Sequence, residues 1–159
     1  LRVYLHPLKR HSNCCPVCGK RCPVYDKSRV YRKWRALDLG ETIVELYSFT
    51  KRLCCKEHGI KTASVPWSYP GSRFTKDFDM TATFLAMNVN KKVAAEYLKC
   101  DWHTIMRCIS RVREVLEPDI KKRYDGFVNI GIDETCYRKG HNYVTTIVNH
   151  DTNAVVWCA

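Results

Sequence analysis

The chain has 159 residues, ten of them cysteine, and a formal net charge of +11. This length allows one ordinary domain or two to three small modules. No apolar stretch approaches the roughly 20 residues that a membrane-spanning helix requires, and no signal peptide is visible, so we expect no membrane partner.

The positive charge is concentrated in the first half of the chain. Residues 1–73 carry 15 basic against 5 acidic side chains, residues 74–125 carry 10 against 8, and residues 126–159 carry 2 against 3. This distribution indicates a polyanion-binding front part joined to a different rear part. Of the two candidate polyanions, nucleic acid is favoured over an anionic membrane because no basic amphipathic helix stands out in the front part.

The first part of the chain predicts β-structure. Residues 3–5 predict a short strand, and two β-rich runs cover residues 29–39 and 42–55, with a turn at Gly40. Two prolines and a glycine in residues 61–73 are typical of a connecting segment, and we place a linker at 64–73.

Three helices are predicted next. The first starts near Thr75, where apolar residues recur at spacings of three and four. The second covers "KVAAEYL" and ends near Lys99, and the third begins after Asp101, a favourable N-cap. One stripe of the third helix is apolar, and Pro118 marks its expected end. That stripe consists of Ile105, Ile109, Val112 and Leu116.

The last segment predicts three strands, "FVNIGID", "NYVTTIVN" and "AVVWCA". The "HDTN" stretch is a turn between the second and third, in which Asn153 can take the left-handed conformation. Two adjacent carboxylates, Asp133 and Glu134, close the first of these runs. A charge at a buried strand end requires a positive partner, either a metal ion or a nearby side chain such as Arg138 or Lys139.

Two pairs of metal-ligand residues occur in the front part. Cys15 and Cys18 form a Cys-x-x-Cys knuckle, and Cys55 and His58 repeat its spacing with an imidazole in the last place. Tetrahedral zinc takes sulfur and nitrogen ligands in this pattern, and the 36 residues between the pairs can hold a β-hairpin, as in a zinc ribbon. A structural zinc site is therefore expected. The alternative ligands are Cys14, Cys22 and Cys54, and the alternative uses are a disulfide scaffold or a redox pair.

The stretch "KKVAAEYLKCDWHTIMRCIS" fits a helix-turn-helix, with a plain helical hairpin as the alternative. Ala95 is small where the helices cross, Lys99 falls where the turn often has Gly, and Ile105 and Cys108 are expected in the core. The first turns of the second helix normally face bases. The predicted base contacts are Trp102, His103, Thr104 and Arg107, and the predicted phosphate contacts are Lys99 and Arg111.

The order of these parts resembles the transposases of bacterial insertion sequences, in the branch with an N-terminal zinc ribbon and a helix-turn-helix. The most specific parts are the "CPVCG" knuckle and "GIDETCYRKGHNYVTTIVNHDTNAVVW". The resemblance implies an α+β chain in four parts. These are a zinc-ribbon module at 1–63, the linker, a helix-turn-helix module at 74–125, and at 126–159 the first three strands of an RNase H-like catalytic domain.

The resemblance also implies a mechanism and partners. Asp133 would be the first of three catalytic carboxylates that hold Mg²⁺ or Mn²⁺, and Glu134 would be its solvated neighbour. The implied partner is double-stranded DNA, both the terminal inverted repeats and the target, bound by a homodimer or higher oligomer in a bacterial cytoplasm. Lys33 and Arg35, on the basic hairpin, would contact its backbone.

The sequence departs from the family pattern in its last segment, where Asn149, His150 and Asn153 replace more usual residues. The second catalytic Asp and the Glu lie far downstream in the family, so we expect a fragment, or a truncated chain, that is inactive on its own. Two other functions remain open: a non-catalytic DNA-binding regulator derived from a transposase, and a zinc-dependent RNA-binding module.

Overall fold

The computed structural model describes residues 1–8 and 12–159. The chain divides into two compact units, Leu1–Leu116 and Glu117–Ala159. The described residues form an α+β structure with two β-sheets and three α-helices. None of these helices is long and apolar enough to cross a membrane.

The first sheet contains β1 (Arg2–Tyr4), β2 (Val24–Arg35), β3 (Glu45–Cys55) and β4 (Gly59–Thr62). Strand β3 pairs antiparallel with β2 on one side; on the other it pairs with β1, in parallel, and with β4, antiparallel. The predicted hairpin between the two ligand pairs is confirmed, as is the turn at Gly40, whose φ is +61°. Strand β4 was not predicted, because its four residues are all exposed and carry no alternation.

The segment predicted as a linker packs against this sheet. Trp67 meets the buried Trp34 of β2 edge to face, with ring centroids 5.6 Å apart. The backbone of Arg35 bonds to Arg73 and Thr75 on either side of a β-bridge. The boundaries of the four predicted parts remain predictions, but this segment joins sheet and helices through direct contacts.

The three helices are α1 (Lys76–Asn88), α2 (Lys91–Tyr97) and α3 (Trp102–Leu116). Side chains cap α1 and α2, because Thr75 and Asn90 accept hydrogen bonds from backbone amides of the first turn. The buried stripe of α3 ends at Val112, and Leu116 is 66% exposed. Their common core consists of Phe78, Ala82, Ala94, Leu98, Ile105 and Cys108.

A buried ion pair fastens α1 to α3. The carboxylate of Asp79 is fully buried and accepts hydrogen bonds from Arg111 Nε at 3.0 Å and from its terminal nitrogen at 2.7 Å. Ser72 donates a third hydrogen bond to the same carboxylate at 3.2 Å. The pairing is bidentate, so it fixes orientation as well as charge.

The second unit contains a 3-10 turn (Ile120–Tyr124) and the strands β5 (Ile130–Arg138), β6 (Asn142–Asn149) and β7 (Ala154–Cys158). The strands form an antiparallel sheet in the order β5-β6-β7. Asn153 has a φ of +54°, which confirms its predicted left-handed conformation. Strand β5 begins later than predicted and continues past Asp133, so that residue lies within the strand and not at its end.

Candidate metal centre and nucleic-acid interface

Four side chains converge at one end of the first sheet. The ligand atoms of Cys15, Cys18, Cys55 and His58 all lie within 4.8 Å of one another. The Cys18 and Cys55 sulfurs are 3.8 Å apart, and His58 Nδ1 lies 3.6 Å from the Cys55 sulfur. Zn–S bonds of about 2.3 Å in a tetrahedron place two sulfurs roughly 3.8 Å apart, so these distances fit a zinc ion.

Tight backbone turns bring the four residues together. In the first knuckle the Gly19 amide bonds to the Cys15 carbonyl at 3.0 Å, and Gly19 has a φ of +70°. In the second, β3 ends at Cys55 and the chain reverses through His58 into β4 at Gly59, whose φ is +67°. A left-handed φ favours glycine, which explains a glycine directly after the last ligand of each pair.

Backbone amides prepare two of the thiols as ligands. The amides of Glu57 and His58 lower the pKa of the Cys55 thiol to about 7. Those of Cys18 and Val17 lower the pKa of the Cys15 thiol. Metal ligation requires the thiolate, so a lowered pKa favours binding at neutral pH.

The alternative ligands lie outside this cluster. Burial raises the pKa of Cys22 to about 11, and its thiol donates to the Lys20 carbonyl at 3.3 Å. Cys54 is exposed, because strand alternation turns it away from its buried neighbours. Cys14 is half-buried and is also absent from the group of converging ligands. All ten cysteines lie within the described residues and all are free thiols.

Helices α2 and α3 form the predicted helix-turn-helix. Lys99 has a φ of +50°, the left-handed conformation that the turn requires and that Gly would take more easily. Asp101 caps α3, because its carboxylate accepts from the Thr104 amide at 2.8 Å and from the Thr104 hydroxyl at 2.7 Å. Thr104 is therefore buried in the capping interaction, and its predicted role as a base contact is wrong.

The exposed side of α3 carries the remaining predicted base contacts. Trp102, His103 and Arg107 are all exposed, and the Trp102 and His103 rings lie 3.8 Å apart. A shallow recess of about 400 Å³ runs along this side, lined by His103, Met106, Arg107, Ser110 and Arg111. Arg107 forms no ion pair with any described residue, so its charge is available to a ligand.

Two predicted phosphate contacts have internal partners instead. Arg111 is held by the buried Asp79, and its predicted phosphate contact is corrected to a structural ion pair. Arg35 is also mostly buried, donates to Asp38 at 2.6 Å and lies over the Phe78 ring. Its predicted DNA contact is corrected in the same way, since a guanidinium that is enclosed and paired cannot reach a phosphate.

Lys99 and Lys33 are exposed but already have partners. Lys99 bridges to Asp38 at 3.2 Å, so Asp38 links the helix-turn-helix turn to Arg35 at the end of β2. Lys33 donates to Glu45 at 2.8 Å. Surface ion pairs of this kind are weak, about 0–1 kcal/mol, and a phosphate can compete for either lysine.

A basic concavity that the sequence reasoning missed lies between α2 and the start of α3. Its volume is about 690 Å³, and its lining includes three lysines, Lys91, Lys92 and Lys99, against two acidic residues, Glu96 and Asp101. Lys91 and Lys92 open α2 directly after its cap. The sequence signal for this concavity was the pair of adjacent lysines at the start of α2, the first helix of the motif.

Asp133 lies on an exposed part of β5. It accepts from the Thr135 hydroxyl at 3.2 Å, while Glu134, on the opposite face, accepts from Thr145 at 3.1 Å. Neither Arg138 nor Lys139 forms an ion pair with Asp133 within the described ranges 1–8 and 12–159. Asp151 is engaged by Asn129, so the described residues do not gather a second metal cluster around Asp133.

Two family models match the regions that carry these features. The model described as the zinc-finger of transposase IS204/IS1001/IS1096/IS1165 matches residues 11–58, which include all four converging ligands. The model described as the helix-turn-helix domain of transposase family ISL3 matches residues 63–113, which include α1, α2 and most of α3. The chain belongs to the ISL3 family of transposases.

Curated relatives agree with this family assignment. The chain is 36% identical over 148 residues to the transposase for insertion sequence element IS1557 of Mycobacterium tuberculosis. This alignment covers 91% of the chain and 32% of the relative. The chain is 28% identical over 161 residues to the transposase for insertion sequence element IS1001 of Bordetella parapertussis, covering 99% of this chain and 38% of the relative. The chain thus spans about a third of the length of these relatives. No solved structure gives a significant match.

Proposed function

We propose that this chain is the DNA-recognition part of an insertion-sequence transposase and binds the terminal inverted repeats of its element. The observation that carries the proposal is the outer side of α3, where His103 and Arg107 are exposed within a helix-turn-helix of the ISL3 family. The second helix of this motif enters the major groove and contacts base edges. Lys91, Lys92 and Lys99 lie beside its start and supply the charge for backbone phosphates.

A structural zinc ion bound by Cys15, Cys18, Cys55 and His58 is part of this proposal. The ligand distances and the match to a transposase zinc finger support it. With four protein ligands the site has no open position for a substrate, so zinc would stabilise the fold and take no part in chemistry.

Catalysis is proposed only for a complete protein. There, Asp133 would be one of three carboxylates that hold Mg²⁺ or Mn²⁺ for cutting and joining DNA. A single exposed carboxylate does not by itself fit a two-metal site, which needs several carboxylates around both ions. The others would have to come from outside these 159 residues, and the same chain without them would act as a DNA-binding regulator.

The experiment compares binding to a duplex of the terminal repeat with binding to a random duplex. Replacing Arg107 by Ala should weaken binding to the repeat by about 1–3 kcal/mol and leave random-duplex binding nearly unchanged. Fluorescence anisotropy at several salt concentrations measures both, and the log–log salt slope should be about −0.9 for each phosphate contacted.

Arg113→Ala is the matched control. Arg113 is exposed on the same helix, about 120° around its axis from Arg107, and forms no ion pair with any described residue. Its replacement should not change the preference for the repeat. Equal losses for both duplexes with Arg107→Ala, or equal effects of the two variants, would contradict the assignment of α3 as the recognition helix.

A further inference from the structure

One face of the first sheet carries four aromatic rings in contact, and the proposed function uses none of them. We call Tyr4, Tyr31, Tyr47 and Phe49 the aromatic face. Tyr4 lies opposite Tyr47 and Tyr31 opposite Phe49 in the strand register, so the rings come from three neighbouring strands. The Tyr31 and Phe49 rings are stacked at 3.9 Å, and Tyr4 contacts the Tyr31 and Tyr47 rings at 5.2 and 5.4 Å.

The rings are open to solvent although the same strands have a buried side. Tyr4 is 55% exposed, Tyr31 41% and Phe49 39%, whereas Trp34 and Ser48 on the opposite side are buried. Large rings add burial energy only when something covers them. A contiguous exposed group of this kind marks an interaction surface more often than a solvated one.

Positive charge adjoins one end of the aromatic face. Phe49 forms part of the wall of a recess of about 420 Å³ whose other lining residues include Lys27, Arg29 and Lys51. Among the described residues that line it there is no Asp or Glu. Burial and the neighbouring Lys27 lower the pKa of Lys51, so an anion placed in this recess would be stabilising. At the far end Glu45 accepts from both Lys33 and the Tyr47 hydroxyl, so its carboxylate offsets part of the positive charge there.

We propose that the aromatic face binds unpaired, single-stranded DNA, with bases stacked on Tyr31 and Phe49 and a backbone phosphate in the recess formed by Lys27, Arg29 and Lys51. Stacking on aromatic side chains beside a positive groove is how proteins bind single strands without reading their sequence. Bases in a duplex are already stacked on each other, so this surface would select unpaired segments. The proposal deepens the proposed function by adding a second kind of DNA contact on the same unit.

The test uses the 159-residue chain with its zinc and a fluorescein-labelled oligothymidylate of 12 nucleotides. Tyr31→Leu and Phe49→Leu remove a ring but keep apolar bulk, and each should weaken binding at least about fivefold. Tyr31→Phe should bind the oligonucleotide like the unmodified chain, because the ring remains. Arg29→Gln should lower the salt slope by about 0.7, the value for one single-strand phosphate contact.

Phe84→Leu is the matched control, because Phe84 is 65% exposed on α1, outside the aromatic face. It should bind the oligonucleotide like the unmodified chain. Arg107→Ala should weaken repeat-duplex binding but not oligothymidylate binding, and Tyr31→Leu should do the reverse, so failure of either function can be recognised separately. Zinc content and thermal unfolding confirm that each variant is folded.

Four results would overturn the proposal. One is oligothymidylate binding no tighter than that of a random duplex, and another is unchanged binding by both leucine variants. The third is a preference for oligouridylate, which would assign the surface to RNA. Sedimentation showing that Tyr31→Leu converts a dimer to a monomer, with oligonucleotide binding unchanged, would assign it to a second copy of the chain.

Discussion

Arginines one helical turn apart on α3 have different roles. Arg107 is exposed and unpaired among the described residues, whereas Arg111 is mostly enclosed and held by the buried Asp79. Both are basic residues on the same helix, so local pattern alone does not separate them. Asp79 lies 32 positions earlier, and only the packing of α1 on α3 brings it to Arg111.

Replacing Arg111 by Ala should destabilise the first unit by about 3–5 kcal/mol, because it leaves the Asp79 carboxylate buried and without its cation. Urea unfolding followed by circular dichroism measures the change. Arg107→Ala, on the same helix, should change the free energy of unfolding by less than about 0.5 kcal/mol.

The double variant Asp79→Leu, Arg111→Met tests the cause. It removes both charges together and should recover most of the lost stability. If the double variant is as unstable as Arg111→Ala, loss of packing and not an uncompensated charge would be responsible.

At the scale of elements, two short turns position the four converging ligands of the zinc ribbon. Few apolar side chains are buried around the ligands. This small cluster consists of Cys15, Cys22, Leu53 and Cys55, with Cys18, Val24 and Ala63 against it. A structural zinc in such a module contributes on the order of 10 kcal/mol to folding. The metal would therefore hold the ends of β2 and β3 together in place of a larger core.

Replacing Cys18 by Ser should abolish stoichiometric zinc binding and unfold the sheet, because three ligands remain where a structural site needs four. Zinc content by mass spectrometry and near-ultraviolet circular dichroism measure the two effects. Cys54→Ser, one residue from a proposed ligand and exposed, should keep both zinc and fold. Loss of zinc only in the Cys54 variant would show that the ligand set is wrong.

Elements with clear periodicity could be predicted from the sequence, and the others could not. The helices, the hairpin and both ligand pairs follow from spacing, caps and turn residues. The end of β5 was misjudged because its residues are nearly all exposed, so no alternation marks where the strand stops. Arg35, Thr104 and Arg111 were misassigned because a polar side chain on an element can serve a cap or an ion pair as well as a ligand.

At the scale of the whole molecule, the second unit is a small sheet with little interior of its own. Val156 and Asn149 are its buried residues within the described chain. Its one proposed catalytic side chain, Asp133, stands on the sheet without neighbouring carboxylates on its face. That this sheet begins an RNase H-like domain stays a prediction from the sequence resemblance.

The 159-residue chain should bind repeat DNA yet neither nick nor join it in Mg²⁺ or Mn²⁺. A lone carboxylate holds at most a weakly bound, hydrated Mg²⁺, because this ion keeps its waters unless several ligands replace them. A supercoiled plasmid carrying the repeats, followed by gel electrophoresis, measures nicking. In a longer protein that supplies the missing carboxylates, Asp133→Asn should eliminate cleavage and leave repeat binding intact. Cleavage by the short chain would show that the active site has been misplaced.

The contacts of Arg35 at the end of β2 have a consequence for the spacing of DNA segments that the protein can contact. The Arg35 backbone bonds to Arg73 and Thr75 before α1, and its side chain donates to the Leu98 carbonyl at the end of α2, so Lys33 on the sheet and Arg107 on α3 stand at a fixed separation. Such a rigid unit can contact both DNA segments only when they face the same side of the duplex. Inserting five base pairs between the two contacted segments turns one of them to the far side of the duplex, since a turn takes about 10.5 base pairs. Footprinting on the lengthened site should show protection of only one segment, whereas two modules on a flexible tether would protect both.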